Sequence, residues 1–355
     1  MTRLSLTLCP RAVLTIAVTL CGLAPVSTSF AAQQSFSDVS PDHPAFAAVE
    51  FAKEKGIFKG YGDGTFKPGK IVLRAEAVKI IVATKLADEE VMTYTKRSFT
   101  DVPTDAWYRP YAEAAMQKLG IIDGPPKATV FNGEKTVTQA QFLKMLLKSQ
   151  QIDAMGSYSE IQLALSNDVK DPTAWFYPYI RYAISASLIQ VGGDGNLRPE
   201  AALTRGDVAQ LVYRLAMYQA GKRTQALLSE EESELVNILQ LLDKKDFTQA
   251  EFASARAVLA SRGALQSKPG VAIVQAAVKM AEAFRSLVRA YKAGSDGNLQ
   301  EVITIAKEAW NSAEKAKQLS ASLNELSSRV QTVAKGMADQ ARQMLKQGAP
   351  AAPAK

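Results

Sequence analysis

Phe36-Ser37-Asp38-Val39 returns as Phe99-Thr100-Asp101-Val102 and again, altered, as Ser166-Asn167-Asp168-Val169. The aspartates lie 63 and then 67 residues apart. Self-similarity at a near-fixed spacing marks tandem units that bury their apolar faces against one another. Each opening is followed by aromatics and an apolar pattern. The first unit has His43-Pro44-Ala45-Phe46, then Val49, Phe51 and Ala52. The second has Trp107-Tyr108 with Pro110-Tyr111, then Ala114, Ala115 and Leu119. The third has Trp175-Phe176 with Pro178-Tyr179, then Tyr182, Ala183 and Ile184. Steps of three and four predict one buried helical face in each. On that spacing Trp107, Trp175, Tyr111 and Tyr179 are expected to lie partly in the core.

Gly56-Ile57 and Gly120-Ile121 follow the first two of these helices, where a C-terminal Gly is expected; the third unit has Leu188-Ile189 there and must end its helix differently. A Gly-rich loop comes next. Gly60-Tyr61-Gly62-Asp63-Gly64-Thr65-Phe66-Lys67-Pro68 matches Gly192-Gly193-Asp194-Gly195-Asn196-Leu197-Arg198-Pro199, while Gly124 to Phe131 keeps only the outline. A second helix then starts at Leu73-Arg74-Ala75-Glu76, Thr138-Gln139-Ala140-Gln141 and Thr204-Arg205-Gly206-Asp207. Thr138 and Thr204 are good N-caps with a polar residue three positions on, whereas Leu73 is a poor one. Asp38, Asp101 and Asp168 are expected to cap the turn or helix that follows them. Asp63-Gly64 and Asp194-Gly195 have the start of a calcium loop but lack its further oxygen ligands, so no metal is expected there.

Together these residues resemble S-layer homology domains. The F-x-D-V openings, the Gly-Ile helix end, the G-x-G-D-G-x-F-x-P loop and the partly kept T-R-A-E motif carry the resemblance, over about residues 36–218. It implies a mainly α fold: a pseudo-threefold prism of three repeats, with one helix of each in a central bundle and grooves between neighbours. It also implies that those grooves bind cell-wall polysaccharide, often bearing acidic groups such as pyruvate ketals, or a polymer linked to peptidoglycan. Carried over by motif, Arg74 and Arg205 would support the ligand, with Gln139 in the uncharged middle position. An Arg in a helix's first turn would face unpaired backbone N–H groups and could hold a carboxylate with its planar fork. Trp107 and Trp175 could stack on sugar rings, beside Asp38, Asp101 and Asp168. Around Gly62, Asp63, Gly64, Gly193, Asp194 and Gly195 backbone amides could approach closely. With Gln139 in the middle repeat and Pro44 where repeat one would carry its aromatic, the grooves should be unequal.

The remainder of the chain bounds the function. Arg3 and Arg11 flank an apolar run, Ala12 to Leu23, that leads to Ser29-Phe30-Ala31-Ala32, which predicts a secretory signal over 1–31. Both cysteines lie within it, and the one histidine is His43. Disulfides, thiol nucleophiles and multi-His zinc sites are excluded from the mature chain. The net charge of +7 is uneven: residues 32–221 balance, and 222–355 carry an excess of five. That suits an anionic envelope surface, not nucleic acid.

The expected divisions are repeats at 36–97, 98–165 and 166–221, a separate α-helical, coiled-coil-like part at 222–347 and a flexible tail at 348–355. In 222–347 capping boxes at Ser229/Glu232, Thr248/Glu251 and Asn298/Glu301 predict helices near 229–243, 248–262, 270–293 and 298–346. The last has a near-heptad stripe through Val302, Ile305, Ala309, Ala316, Leu319, Leu323, Leu326, Val330 and Val333, which a hairpin, a bundle or self-association would bury. No catalytic constellation or cofactor motif stands out. The reading is an exported, non-enzymatic envelope protein that anchors to the wall. The alternative is an S-layer or spacer subunit that oligomerises, or meets another envelope protein, through its C-terminal helices.

Overall fold

Three backbone hydrogen bonds close a ring at the centre of the repeats. The Val72 amide donates to Leu203 O (2.9 Å), Leu203 to Val137 O (3.2 Å) and Val137 back to Val72 O (3.2 Å). The computed structural model in which this ring lies describes residues 34–123 and 127–348. The signal at 1–31, Gly124-Pro125-Pro126 and the tail beyond 348 lie outside the described residues. Antiparallel bridges, Ile71 to Thr204, Leu73 to Thr136 and Thr138 to Ala202, flank the ring with the same cyclic order. This is the expected pseudo-threefold axis.

Each repeat contributes a first helix, α1 (Phe46–Glu54), α4 (Arg109–Gln117) or α6 (Tyr177–Ser185). Each adds a second that starts at the ring, α2 (Arg74–Ala83), α5 (Gln139–Ser149) or α7 (Arg205–Gln219). The short α3 (Asp88–Val91) follows α2. Packing is again cyclic: α2 lies on α4, α5 on α6 and α7 on α1. The far ends of α2, α5 and α7 converge on a cavity of about 290 Å³ lined by Ala83, Thr84, Leu146, Gln150, Leu215 and Gln219. Local chemistry explains the starts and stops. Thr138 and Thr204 accept from the amides of Gln141 and Asp207, whose side chains reach back to the cap amides. At Leu73 only the return half exists, Glu76 to the Leu73 amide at 2.9 Å. Gly56 (φ 70°) and Gly120 (φ 60°) turn the chain out of α1 and α4; Ser187 does so after α6 at φ 55°.

Five further helices stack in sequence: α8 (Thr224–Asp243), α9 (Phe247–Ser267), α10 (Ala272–Ser295), α11 (Leu299–Leu319) and α12 (Asn324–Lys346). Four points differ from expectation, the first being that Asn298 precedes α11 without any side-chain cap bond. α8 begins five residues before Ser229, so that residue is interior. Asp246, not Thr248, caps α9, accepting from the Gln249 amide. The helix expected over 298–346 is two, because Ser320 is extended (φ −150°, ψ 120°) and a short 3-10 turn, Ala321–Leu323, follows. α12 folds back on α11, so the heptad stripe pairs with itself and with α10.

The array is docked on repeat three. α9 lies on α6 so closely that a Cβ at Gly263 would stand 1.6 Å from Ser185 O. Arg256 donates to Leu165 O, Gln249 to Asn167 and Tyr218 to Gly263 O. Among the described residues no helix is long and apolar enough to cross a membrane.

Candidate functional site

The three motif positions do one shared thing. Arg74 Nε donates to Phe131 O (2.9 Å), Gln139 Nε2 to Leu197 O (2.7 Å) and Arg205 Nε to Phe66 O (2.8 Å). Each holds the loop of a neighbouring repeat, in the order one to two, two to three and three to one. Among the described residues neither Arg74 nor Arg205 enters an ion pair. Both lie on aromatic rings, Arg74 5.5 Å from the centre of Phe131 and Arg205 within 5.1 Å of Phe58, Tyr61 and Phe66. Burial pushes both guanidinium pKa values down from the ordinary value, with Tyr61, Glu76 and Asp38 opposing it at Arg205. Arg205 is only 8% exposed, so repeat one covers most of it.

The first-turn amides do not form the open patch expected of them. Those of Arg74 and Ala75 donate to Lys135 O and Gly133 O, those of Gln139 and Ala140 to Ala201 O and Pro199 O, and those of Arg205 and Gly206 to Lys70 O and Pro68 O. The helix starts are knitted to the next repeat's loop, because buried amides need partners and the loop carbonyls are within reach.

The aspartates differ from expectation as well. They cap no following turn. Asp38 accepts from the amides of Phe66 and Lys67, Asp101 from Phe131 and Asn132, and Asp168 from Leu197 and Arg198, all at 2.7–2.9 Å. The clamp meets Lys67, Asn132 and Arg198 in the left-handed region, φ 55–58°. At Asp168 burial pulls the pKa upward, but the Leu197 amide, the Ser166 hydroxyl and the Arg198 amide outweigh it and hold it below the ordinary value. These carboxylates shape the loops. The loop tips are closed from within: Asp63 accepts from Thr65 and pairs with Lys67, which lowers its pKa to about 2. Asp194 is held likewise by Asn196 and Arg198. Gly64 and Gly195 take φ 77° and 78°, and nothing stands near a Cβ placed at Gly62 or Gly193.

Trp107 and Trp175 present large aromatic faces to solvent. Trp107 is 52% and Trp175 48% exposed, because each sits just before its helix and not on the buried face; Tyr111 is in the core as expected and Tyr179 half-buried. A lysine from the preceding repeat covers each indole. Lys79 Nζ lies 5.4 Å from Trp107 and 5.1 Å from Tyr111, and Lys144 Nζ 5.6 Å from Trp175. An aromatic wall, Phe131, Tyr108 and Trp107, joins Arg74 to Lys79, with neighbouring rings 5.4–5.7 Å apart. The junction of repeats two and three keeps Gln139, Lys144, Trp175 and Phe176 at these places. The junction of repeats three and one has Arg205, Gln210 and Pro44 there, with neither lysine nor tryptophan at those positions. Sequence reading missed both lysines; their equal offset of five from Arg74 and Gln139 was the available signal.

The S-layer homology domain matches at residues 35–78, 98–143 and 167–209. The chain is 30% identical over 204 residues to the Surface-layer 125 kDa protein of Lysinibacillus sphaericus, 56% of this chain and 16% of that protein. It is 31% identical over 117 residues to the Cellulosome-anchoring protein of Acetivibrio thermocellus, 32% of this chain and 26% of that one. It is 26% identical over 198 residues to an uncharacterized cell wall amidase of Bacillus anthracis, 56% and 35% respectively. The chain thus spans about a third or less of each relative's own length.

Proposed function

Because this chain carries three tandem S-layer homology domains, we propose that it holds an acid-bearing wall polysaccharide in the two aromatic clefts between repeats. The protein is exported and associated with the cell wall, and anchoring is its role at the level of the family. The observation that carries the finer reading is the pairing of a cation from one repeat with a solvent-facing indole of the next, Lys79 with Trp107 and Lys144 with Trp175. An indole face takes the apolar face of a sugar ring, and an ammonium beside it takes the ring's acid substituent. Pyruvate ketals are one such acid. In the first cleft Arg74 adds a second cation at the other end of the wall, so this cleft dominates. The aspartates fix the loops that form the walls. The amidase relative shares only part of its length, and no observation in this chain favours hydrolysis.

The test is co-sedimentation of the full chain with purified sacculi. Lys79→Ala with Trp107→Ala should weaken binding by about ten-fold or more, about 1.4 kcal/mol. Lys144→Ala with Trp175→Ala should weaken it less. Stripping secondary polymer from the sacculi with acid should abolish it. Undiminished binding after both double substitutions would refute the clefts as the site.

A further inference from the structure

A cavity of about 550 Å³ lies where the third repeat meets α8 and α9. Its walls include Ile184, Ile189 and Val191 of the repeat, Ala226 and Ala260 of the array, and three arginines, Arg214, Arg223 and Arg256. It shares no residue with the two aromatic clefts. Two glutamates face the arginines. Glu234 is taken by Arg256, whose Nε and Nη2 fork onto it at 2.6 and 2.9 Å. Arg214 and Arg223 are left with Glu230 alone, which lies 3.8 Å from Arg223 and also accepts from Ser187 Oγ and from Gln190 at 2.6 Å. The cavity therefore holds one positive charge in excess.

Two further observations describe its polar wall. Arg223 Nε is fully buried and has no hydrogen-bond partner. A buried donor without an acceptor is unfavourable and leaves the guanidinium's charge less satisfied on this side. Ser187 is buried and left-handed where repeats one and two have glycine. Arg223 donates to its carbonyl and hydroxyl, and Glu230 accepts from that hydroxyl. Ser187 thus ties the end of α6 to Arg223 and Glu230 at the cavity wall.

We propose that this cavity binds a small carboxylate-bearing ligand, with Arg214 and Arg223 holding the carboxylate and Glu230 accepting from a hydroxyl or ammonium. The volume is that of ordinary small-molecule sites, which run about 300–1,000 Å³, and suits one or two sugar units or a short peptide. The planar forks match a carboxylate. Among the described residues Arg214 donates through its Nη atoms to Leu188 O and Gln210, and no partner is found for its Nε. Ile184, Ile189 and Val191 offer an apolar floor to the uncharged part.

Calorimetric titration of the full mature chain tests this with four probes. These are a glucuronate-containing disaccharide, its neutral glucose analogue, a tripeptide with a free C-terminal carboxylate and the same tripeptide amidated. At least one carboxylate probe should bind and its uncharged counterpart should not; which one binds identifies the source as acidic sugar or peptide. Arg223→Gln should weaken that binding about ten-fold or more. Ser233→Trp, which places bulk at the exposed rim and removes no buried bond, should block it without lowering the melting temperature. Arg74→Ala should leave it unchanged, which separates this site from the clefts. The proposal is overturned if neither carboxylate probe binds at several millimolar, if neutral and charged probes bind alike, or if Arg223→Gln and Ser233→Trp have no effect.

Discussion

Residues 36–218 and 224–346 are both helical, yet they are held by different bonds. The repeats are sewn together by directional contacts: a backbone ring, three carboxylates on loop amides and three motif side chains on neighbouring carbonyls. The array has few of these. α9 buries Ala250, Ala253, Ala255, Ala257, Ala260, Gly263 and Ala264, and α10 to α12 continue with small residues that let helix axes approach. The difference teaches where each region is fragile. A sewn region fails when one polar partner is lost, and a close-packed one when one atom is added.

The largest effect is expected at the joint between them. Gly263→Leu would put side-chain atoms into the Ser185 backbone, which cannot step aside. It should cost about 3 kcal/mol or more. Calorimetry should then show two melting transitions, one for each region; a single transition at the original temperature would mean that the two are not coupled there. A smaller effect, of opposite sign, belongs to the array. Glu231 is buried, with Oε1 unpartnered, and burial followed by the charge of Glu232 pushes its pKa well above the ordinary range. In the unfolded chain it ionises at about 4.3. The carboxyl therefore weighs against folding most at neutral pH, and the penalty fades as pH falls through the folded pKa toward that value. Glu231→Leu should stabilise by about 1–2 kcal/mol at pH 7, and the gain in melting temperature should shrink at pH 5. A gain that ignores pH would locate the effect elsewhere. The smallest effect completes the sewing of repeat one. Leu73→Thr supplies the missing half of the capping box and should add about 0.5–1 kcal/mol in urea unfolding; no gain would mean that Leu73 contributes as much by packing.

These contrasts also separate what could be read in the chain from what could not. The repeats, the Thr138 and Thr204 caps and the Gly56 and Gly120 turns are local, so residue type and spacing reveal them. Asp38 was visible as a marker, but its partners stand 28 and 29 residues on, and nothing near Asp38 names them. The occupied first-turn amides were hidden for the same reason, since their acceptors come from another repeat. Periodicity ran unbroken through Ser320, because a stripe that pairs with itself looks like one that pairs with a partner. Trp107 and Trp175 shared the helical spacing without sharing the helix. The lysines that face them could have been found by laying the repeats side by side.

The central ring joins Val72 to Leu203, 131 residues downstream. A chain that leaves the cell amino-terminus first presents repeat one to the outside well before its ring partner has crossed. Until then the Val72 amide lacks its ring acceptor, although the Arg74 helix start already has its partners in repeat two. Completion of the ring therefore requires the chain through residue 203, whereas the junction of repeats one and two is complete by residue 135.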